Sequence, residues 1–326
     1  APGVWATALP FPSPLRYSLS YIVDTPGGTI LVDAGWDSDA GWDKFLAGLA
    51  NAGKAIDDVR GLVVTHAHAD HFGLAARLRT VSDAWIALHP AERPQIVENE
   101  AATMRRFEDM YEWMQRCGAP PMQLEALRND LDEVSRRFPV VAPDIDLVAS
   151  APIPDTQGQL VAVHTAGHTP GSVCFLDRER GLLFTGDHFL PRVSPNVSKR
   201  PTSDVDPLRD YLSSLATVDE IDAQAPVTAL PGHEWAFGAV GRRVSELRTH
   251  HEARLDEIAH AVLDGRSTVW EVAQAVRWSR PFTELSTLAL RSAIGETYAH
   301  LYRLEAAGRI RPVREEAERA ARWRRT

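Results

Sequence analysis

The chain has few cysteines, few lysines and no long apolar stretch, and each shortage excludes something. Its 326 residues include two cysteines, Cys117 and Cys174, which cannot build a disulfide framework and do not form a CxxC pair. Apolar runs such as residues 61–64 fall far short of the roughly 18 residues that a membrane-spanning helix needs. Lysine occurs only three times among the 35 basic residues, which we interpret as a compositional bias of the genome.

The chain also lacks an excess of positive charge. Its formal net charge is −9 at pH 7, which argues against nucleic-acid binding by the molecule as a whole. The charge is unevenly distributed, because residues 248–326 carry a net +3 and residues 1–247 a net −12. Hydrophobic residues make up 44% of the chain, as in a globular protein with a full core. The charge difference predicts a second module at the C-terminal end.

The beginning of the sequence carries no targeting signal that we recognise. It starts with Ala1-Pro2 and has no basic segment followed by an apolar one. Because a signal peptide can be cleaved before the first numbered residue, a cytoplasmic location is only our default expectation.

Metal-ligating side chains directly follow a predicted buried strand. Residues 59–65 form this strand, which runs into His66-x-His68-x-Asp70-His71. Three histidines and an aspartate at fixed positions arise by chance in roughly one chain in a thousand. Imidazole and carboxylate groups are the ligands of Zn²⁺ and similar ions. His66 and His68 can face one ion, and Asp70 and His71 can face a second.

Two metal ions need more ligands than one loop supplies, since a catalytic zinc takes about three protein ligands and keeps an open position for water. His168, Asp187 and His233 each follow a predicted strand in a glycine-containing loop, and we predict that they complete the site. We interpret the remaining seven histidines mainly as structural residues: His89, His164, His188, His250, His251, His260 and His300.

Five segments between residues 31 and 233 together resemble the metallo-β-lactamase-fold hydrolase superfamily. They read LVDAG, THAHADH, TAGHTPGS, TGDH and PGH. The resemblance is greatest to glyoxalase-II-like members and to endoribonuclease-like members with a winged-helix C-terminus, and residues 191–197, PRVSPNV, resemble the latter branch. It implies an α/β fold: an αββα sandwich with the metal site at one edge, a helical insertion and a C-terminal winged-helix-like α domain.

The resemblance also implies how seven predicted ligands divide between two divalent ions, which we expect to be Zn²⁺, with iron or manganese as alternatives. Three histidines would bind the first ion, an aspartate and two histidines would bind the second, and one aspartate would bridge the two ions. In that order the ligands are His66, His68 and His168, then Asp70, His71 and His233, and finally Asp187.

A hydroxide that bridges two metal ions is the nucleophile expected of such a site, because metal binding lowers the pKa of water to ~7. Asp70 is the predicted catalytic residue, which would orient this nucleophile or pass a proton. Asp33 is expected to lie behind the ligands and to orient one of them or its loop.

Two domains are predicted. Residues 1–245 would form the catalytic domain and residues 246–326 the winged-helix-like domain. The catalytic domain would contain a helical insertion at about residues 91–140, whose helical pattern has a bulky apolar face.

The apolar face of this insertion has two interpretations. It can be ordinary helix core, or it can line a substrate cleft, since methionine and aromatic side chains adapt to irregular apolar ligands. On the second interpretation Met110, Tyr111 and Trp113, together with Asn196, would bind the substrate.

The sequence therefore predicts a zinc-dependent enzyme that hydrolyses an ester, thioester or lactone of a small molecule. The alternative is a phosphodiesterase or endoribonuclease acting on nucleic acid, which the arginine-rich tail favours and the acidic catalytic part opposes. A regulatory protein with a vestigial site is a third hypothesis, which the complete ligand set opposes. The expected partners are a small substrate, nucleic acid as the less favoured alternative, no membrane, and a second copy of the chain in a hypothetical homodimer.

Overall fold

The computed structural model of the protein describes residues 1–96, 100–126, 141–199, 204–313 and 320–325. Its chain forms two compact units. The first comprises Ala1–Glu98, Arg137–Pro195 and Ser213–Val244, and the second comprises Asn99–Arg136, Asn196–Leu212 and Ser245–Thr326.

This grouping differs from the predicted domains in two places, the helical insertion and Asn196–Leu212, which both belong to the second unit. The described residues among 99–136 belong with the C-terminal helices, and not with the strands of the N-terminal unit. The physical reason is that Trp113, Met114 and Cys117 share one buried apolar core with residues of those helices, such as Ile258.

Eight α-helices lie wholly within the described parts of the chain. They are α1 (Asp39–Asn51), α2 (Ala69–Phe72), α3 (Ala75–Val81), α4 (Glu100–Arg116), α5 (Pro207–Gln224), α6 (Val240–Leu263), α7 (Val269–Ala275) and α8 (Thr287–Ala306). No helix in these parts is both long enough and apolar enough to cross a lipid bilayer.

Six strands form the first sheet, in the same order as in the chain. They are β1 (Val4–Pro10), β2 (Tyr17–Thr25), β3 (Gly28–Val32), β4 (Val59–Val63), β5 (Trp85–Leu88) and β6 (Ile145–Asp146). β1 to β3 pair antiparallel, whereas β3 to β6 pair parallel. Because parallel strands end at the same edge of a sheet, Asp33 after β3 and His66 after β4 emerge side by side.

Four strands form the second sheet, in the order β10-β9-β8-β7. They are β7 (Leu160–His164), β8 (Val173–Asp177), β9 (Leu182–Gly186) and β10 (Thr228–Pro231). β8 runs antiparallel to β7 and β9, and β10 runs parallel to β9. β7, β9 and β10 therefore end at one edge, and His168, Asp187 and His233 follow these three strand ends.

The two sheets pack against each other through side chains that alternate along each strand. Ile30 and Val32 of β3 lie in a buried cluster with Phe175 and Phe184 of the second sheet. Leu31, between them, points to the opposite face and packs with α1 and α3. Both faces of β8 and β9 are also buried. The predicted fold class, an α/β protein with an αββα sandwich, is confirmed.

The second unit is mainly helical and ends in a two-stranded antiparallel sheet of β11 (Ile310–Val313) and β12 (Arg322–Arg325). α7 begins with a capping box, in which the Thr268 hydroxyl accepts from the Glu271 amide and the Glu271 carboxylate accepts from the Thr268 amide. Arg322 of β12 also forms an isolated bridge with Thr268. The C-terminal elements thus follow the order α6, α7, α8 and a pair of short strands, and their identity as a winged-helix-like domain stays a prediction.

Candidate metal centre

A single loop and helix deliver four of the predicted ligands. His66 lies three residues after the end of β4, and His68 is the residue before the first turn of α2. Asp70 and His71 lie within that turn, and both are buried. Because the chain changes from strand to helix here, four closely spaced polar side chains turn towards one region.

Three groups of ligand atoms meet there, each with its atoms within 4.8 Å of one another. The groups are His66, His68 and His168; His66, His71 and Asp187; and Asp70, His71 and His233. All seven predicted ligands belong to these groups, so side chains separated by up to 167 positions in the sequence are brought together.

The first group is a close set of imidazoles. His66 Nε2 and His68 Nδ1 are 2.9 Å apart, and His168 Nε2 lies 3.1 Å from the same Nδ1 atom. The side chains therefore present three nitrogen atoms to a common point, as a tetrahedral ion with one open position requires.

Asp187 connects the imidazoles to the other acidic ligand. Its Oδ1 lies 3.5 Å from His71 Nε2, and its Oδ2 lies 3.5 Å from His233 Nε2 and 3.9 Å from His168 Nε2. One carboxylate thus reaches histidines of both predicted ligand sets, which fits the bridging position.

A close backbone approach lets these side chains meet. A Cβ atom on Gly232 would lie 2.5 Å from His71 Cε1 and 2.7 Å from Asp187 Oδ1. Any larger residue before His233 would therefore push two ligands aside, which explains glycine at this position.

Fixed acceptors hold three histidines in one tautomer. His71 Nδ1 lies 2.7 Å from Asp33 Oδ2, and His233 Nδ1 lies 2.8 Å from the Tyr17 carbonyl oxygen, so each Nδ1 donates a proton. The Thr65 hydroxyl donates to Asp33 and is 3.0 Å from His66 Nδ1, which must therefore donate to it. In all three rings Nε2 is therefore the nitrogen that faces the site and is available to a metal ion.

The resulting set of facing atoms fits a cation. Once their Nε2 atoms are deprotonated, these imidazoles and the carboxylate oxygens are all acceptors, so the site needs bound positive charge, either protons or metal ions. His71 Nε2 and Asp187 Oδ1 are buried and 3.5 Å apart, yet neither has a hydrogen-bond partner within the described ranges. The nitrogen and oxygen donors suit divalent ions such as Zn²⁺, Fe²⁺ or Mn²⁺.

The pKa values of the ligands differ between the two predicted ligand sets, raised next to the carboxylates and lowered among the imidazoles. Burial by itself lowers the pKa of His71, but the carboxylates of Asp187, Asp70 and Asp33 outweigh burial and hold it well above its ordinary value. Burial likewise opposes protonation of His233, but Asp187 and Asp70 raise its pKa to about 10. His66 has its pKa held well below the usual value by burial and by the neighbouring imidazoles.

Two aromatic rings line the His233 side of the site. The ring of Phe11 stacks on His233, with centroids 6.1 Å apart and an angle of 28° between the planes. Trp36 lies against Phe11 in turn, with ring centroids 5.5 Å apart. Both aromatic residues are partly buried, so this wall of the site is apolar.

The residues that we predicted to bind substrate lie in the second unit. Trp113 is buried in its helical core, and Met110 and Tyr111 pack against that core. Asn196 accepts a hydrogen bond of 2.6 Å from the Ser198 hydroxyl. These packing roles agree with the first interpretation of the insertion, ordinary helix core, and the role of the four residues in substrate binding stays a prediction.

Sequence reasoning missed three residues that support the ligands. The Tyr17 carbonyl gives no signal in a sequence, since any residue supplies one. Thr65 belongs to the THAHADH segment, but its hydroxyl was not assigned a role. Glu92 lies far from every motif, and only the fold places its carboxylate against Ala67, 2.8 Å away.

Comparison with known proteins identifies relatives. A family model for the metallo-beta-lactamase superfamily matches residues 13–233, more than half of the chain. The crystal structure of the metallo-beta-lactamase family protein TTHA1429 from Thermus thermophilus has a TM-score of 0.81 and 28% identity, covering 100% of this chain and 99% of that one.

Two further relatives are similar in sequence. The probable metallo-hydrolase YqjP of Bacillus subtilis (strain 168) is 24% identical over 312 residues, covering 93% of this chain and 92% of that protein. The acyl-coenzyme A thioesterase MBLAC2 of Gallus gallus is 31% identical over 188 residues, covering 54% of this chain and 57% of that protein.

Proposed function

Since the chain belongs to the metallo-beta-lactamase superfamily, we propose that it is a dinuclear metal-dependent hydrolase that cleaves an ester, a thioester or a lactone of a small molecule. One observation carries this proposal. Five histidines and two aspartates converge in three groups, each with its ligand atoms within 4.8 Å of one another, which is an arrangement suited to bound divalent cations.

Seven side chains would hold two divalent ions, with Asp187 between the two ligand sets. Bound there, the ions would lower the pKa of a water molecule and polarise the carbonyl that is attacked. The protein itself orients the ligands, since Asp33, the Tyr17 carbonyl and Thr65 each fix one imidazole through its Nδ1 atom. We propose zinc as the metal, because tetrahedral nitrogen and oxygen sites are typical of it.

Asp70 is the residue to which we assign proton movement. Its Oδ2 lies 3.1 Å from His233 Nε2 and 3.6 Å from His71 Nε2, which leaves Oδ1 to accept a proton. Burial raises the pKa of Asp70, but the charges of His71 and His233 outweigh burial and keep it below the ordinary value, so the carboxylate is ionised at neutral pH. An ionised Asp70 can take a proton from the nucleophile and pass it to the departing alkoxide or thiolate.

An acyl substrate suits the apolar wall of the site. Phe11 and Trp36 offer ring surface next to His233, where an acyl chain can lie and exclude water. The chicken relative is named an acyl-coenzyme A thioesterase, which supports a thioester as the first substrate to test.

A second candidate function is hydrolysis of nucleic-acid phosphodiesters. We propose that the C-terminal elements form a winged-helix-like module, whose hairpin is strongly basic. Arg311 of β11 is directly paired with Arg324 of β12, and like charges in this position destabilise a strand pair, an effect that a bound anion would offset. This observation supports an anionic partner for the hairpin, whether or not the catalytic site acts on it.

A substrate panel tests the two candidates. Protein loaded with Zn²⁺ would be assayed with acyl-coenzyme A thioesters, p-nitrophenyl esters, lactones, a chromogenic cephalosporin and bis-p-nitrophenyl phosphate. We expect turnover of thioesters or esters that stops on chelation and returns when metal is added back. Turnover confined to the phosphodiester would replace the first function by the second, and a chain that binds no metal would overturn both.

A further inference from the structure

Glu92 is a buried carboxylate that the chemistry described above does not use. It is 0% exposed, and it lies in a 3₁₀ turn, Pro90–Gln95, that follows β5. His89 caps this turn by accepting a hydrogen bond from the Ala91 amide at its Nδ1 atom. A carboxylate is costly to bury unless its oxygens accept hydrogen bonds, so its partners indicate its purpose.

The partners of Glu92 are the two loops that carry the first ligand group. Oε2 accepts from the amide of Ala67, at 2.8 Å, and Oε1 accepts from the amide of Gly171, at 2.7 Å. The side-chain amide of Gln95 also donates to Oε2, at 2.9 Å. Ala67 lies between His66 and His68, and Gly171 lies three residues after His168.

We propose that Glu92 is a positioning residue, which joins these two loops so that His66, His68 and His168 form one metal subsite. The inference rests on the proposed function only in that a metal ion occupies this group. Among the described residues, Glu92 is the one carboxylate that is hydrogen-bonded to both loops. The Val173 amide also donates to the Thr65 carbonyl and links the same two segments, so Glu92 would set how the three nitrogen atoms, 2.9 and 3.1 Å apart in pairs, face one another.

The surroundings of Gly171 are fitted to this carboxylate. A Cβ atom on Gly171 would lie 2.7 Å from Glu92 Cγ and 2.9 Å from Oε1, so only glycine lets the carboxylate reach this amide. The same loop is held from the other side, since His164 Nε2 lies 2.9 Å from the Pro170 carbonyl oxygen and donates to it. The ring of His164 stacks in parallel on His89, 4.2 Å away, next to the Glu92 turn.

Replacement of Glu92 by glutamine tests the hydrogen bonds of this side chain to the two loops while its volume in the core stays nearly the same. Glutamine has nearly the same shape, but its amide group can accept only at one atom and would meet a backbone N–H donor with its own NH₂ group. One of the two loops must then move away, while the core around the residue stays filled.

Metal binding measured without any substrate is the test. A chelator would first remove metal from the wild-type protein and from the Glu92→Gln and Asp222→Asn variants. We would then titrate each metal-free protein with Co²⁺ and record the Co²⁺ affinity, the number of ions bound and the visible absorption spectrum. Asp222 is the matched control, because its carboxylate also accepts from two backbone amides, those of Val227 and Gly241, and neither of these residues belongs to a ligand loop. Where Glu92→Gln fails to fold, Glu92→Asp keeps the charge and shortens the side chain by one methylene.

We expect Glu92→Gln to weaken one of two binding phases by about 10- to 100-fold and to alter the Co²⁺ spectrum, as loss of a supporting partner does in metal sites. Glu92→Asp should weaken the same phase, and Asp222→Asn should weaken neither. If the Glu92 variants bound two equivalents of Co²⁺ with the affinity and spectrum of the wild type, this inference alone would be overturned. Wild-type protein that binds metal but hydrolyses no substrate would contradict the proposed function alone, and wild-type protein that binds no metal would overturn both.

Discussion

The Nδ1 atom of His71 lies 2.7 Å from Oδ2 of Asp33, and both side chains are almost fully buried. Asp33 holds its carboxylate there from a left-handed backbone with φ of 61°, which in a residue other than glycine costs on the order of 1 kcal/mol. The Ser20 hydroxyl donates to the Asp33 carbonyl at 2.7 Å and helps to fix this conformation. A strained residue is thus retained where it can orient a metal ligand.

Asp33→Asn tests this relationship. The amide keeps one acceptor, but its NH₂ group faces a donor, either the Thr65 amide or His71 Nδ1. We expect the metal affinity of the group that contains His71 to fall by about 10- to 100-fold. The free energy of unfolding of the chelated protein should fall by about 1–3 kcal/mol. Chelator competition and urea unfolding measure these two effects.

Asp24→Asn is the control for this experiment, since Asp24 forms a surface ion pair with Lys54 at 2.7 Å. Such a pair contributes at most about 1 kcal/mol. Unchanged metal affinity in Asp33→Asn would show that His71 does not need its carboxylate partner.

Asp70→Asn should remove activity without unfolding the protein. The substitution keeps the shape of the side chain, but it removes a ligand oxygen and the group to which we assign proton movement. We expect kcat to fall at least about 100-fold and the bound metal to fall below two equivalents. Steady-state kinetics and elemental analysis provide the measurements, with Asp43→Asn on the exposed face of α1 as the control. Full activity in Asp70→Asn would refute both roles.

The free energy of unfolding of the metal-free protein, prepared with a chelator, should decrease as the pH rises from 7 to 10. Burial opposes protonation, but Asp187 and Asp70 raise the pKa of His233 to about 10 and also raise that of His71. A raised histidine pKa stabilises the fold fully below the unfolded value of about 6.5, and that stabilisation is lost as the pH rises through the folded value.

Unfolding by urea at pH 7, 8, 9 and 10, with and without Zn²⁺, measures this dependence. Metal binding replaces the protons on His71 and His233, so the metal-loaded protein should show a smaller loss over the same range. If the free energy of unfolding fell equally with pH in the metal-loaded and the metal-free protein, the assignment of these histidines as ligands would be contradicted.

Glu296→Gln should stabilise the second unit above pH 7. Burial raises the pKa of Glu296 to about 7, and the charge of Arg254, 3.8 Å away, only partly opposes burial. Because the carboxyl pKa is raised in the folded state, the wild type loses stability between about pH 4.5 and 7. The Glu296→Gln variant should lack this loss and should therefore unfold at a higher urea concentration than the wild type at pH 8. Glu284→Gln, at an exposed position, is the control and should unfold at the same urea concentration as the wild type. A less stable glutamine variant at pH 8 would refute the argument.

Trp113→Phe distinguishes core packing from substrate binding. Trp113 Nε1 is buried and has no hydrogen-bond partner in the described part of the chain, so phenylalanine removes an unsatisfied donor while it fills most of the space. We expect a change of less than about 1.5 kcal/mol in the free energy of unfolding, and KM within about twofold of the wild type. A large change in KM at unchanged stability would instead support our prediction that Trp113 contacts the substrate.

The convergence of the seven predicted ligands could be expected from the sequence because the chemistry of their side chains is local and specific. His66, His68, Asp70 and His71 are close in sequence, and imidazoles at that spacing have few structural uses. His168, Asp187 and His233 were found because each follows a predicted strand, and strands that end at one edge bring their loops together. The insertion was harder to interpret, since Trp113 on an apolar helix face looks the same whether it packs in a core or lines a cleft.

The sequence by itself determined the chemistry of this protein: which residues can bind metal, the alternation that builds two facing sheets, and the family resemblance. Only the tertiary structure decided which atoms face each other. Asp33, Thr65, the Tyr17 carbonyl and Glu92 support the ligands through contacts between distant segments, and no local pattern encodes those contacts. The reason is physical, because a ligand type is a property of one side chain, whereas its orientation depends on hydrogen bonds that exist only after the chain has folded.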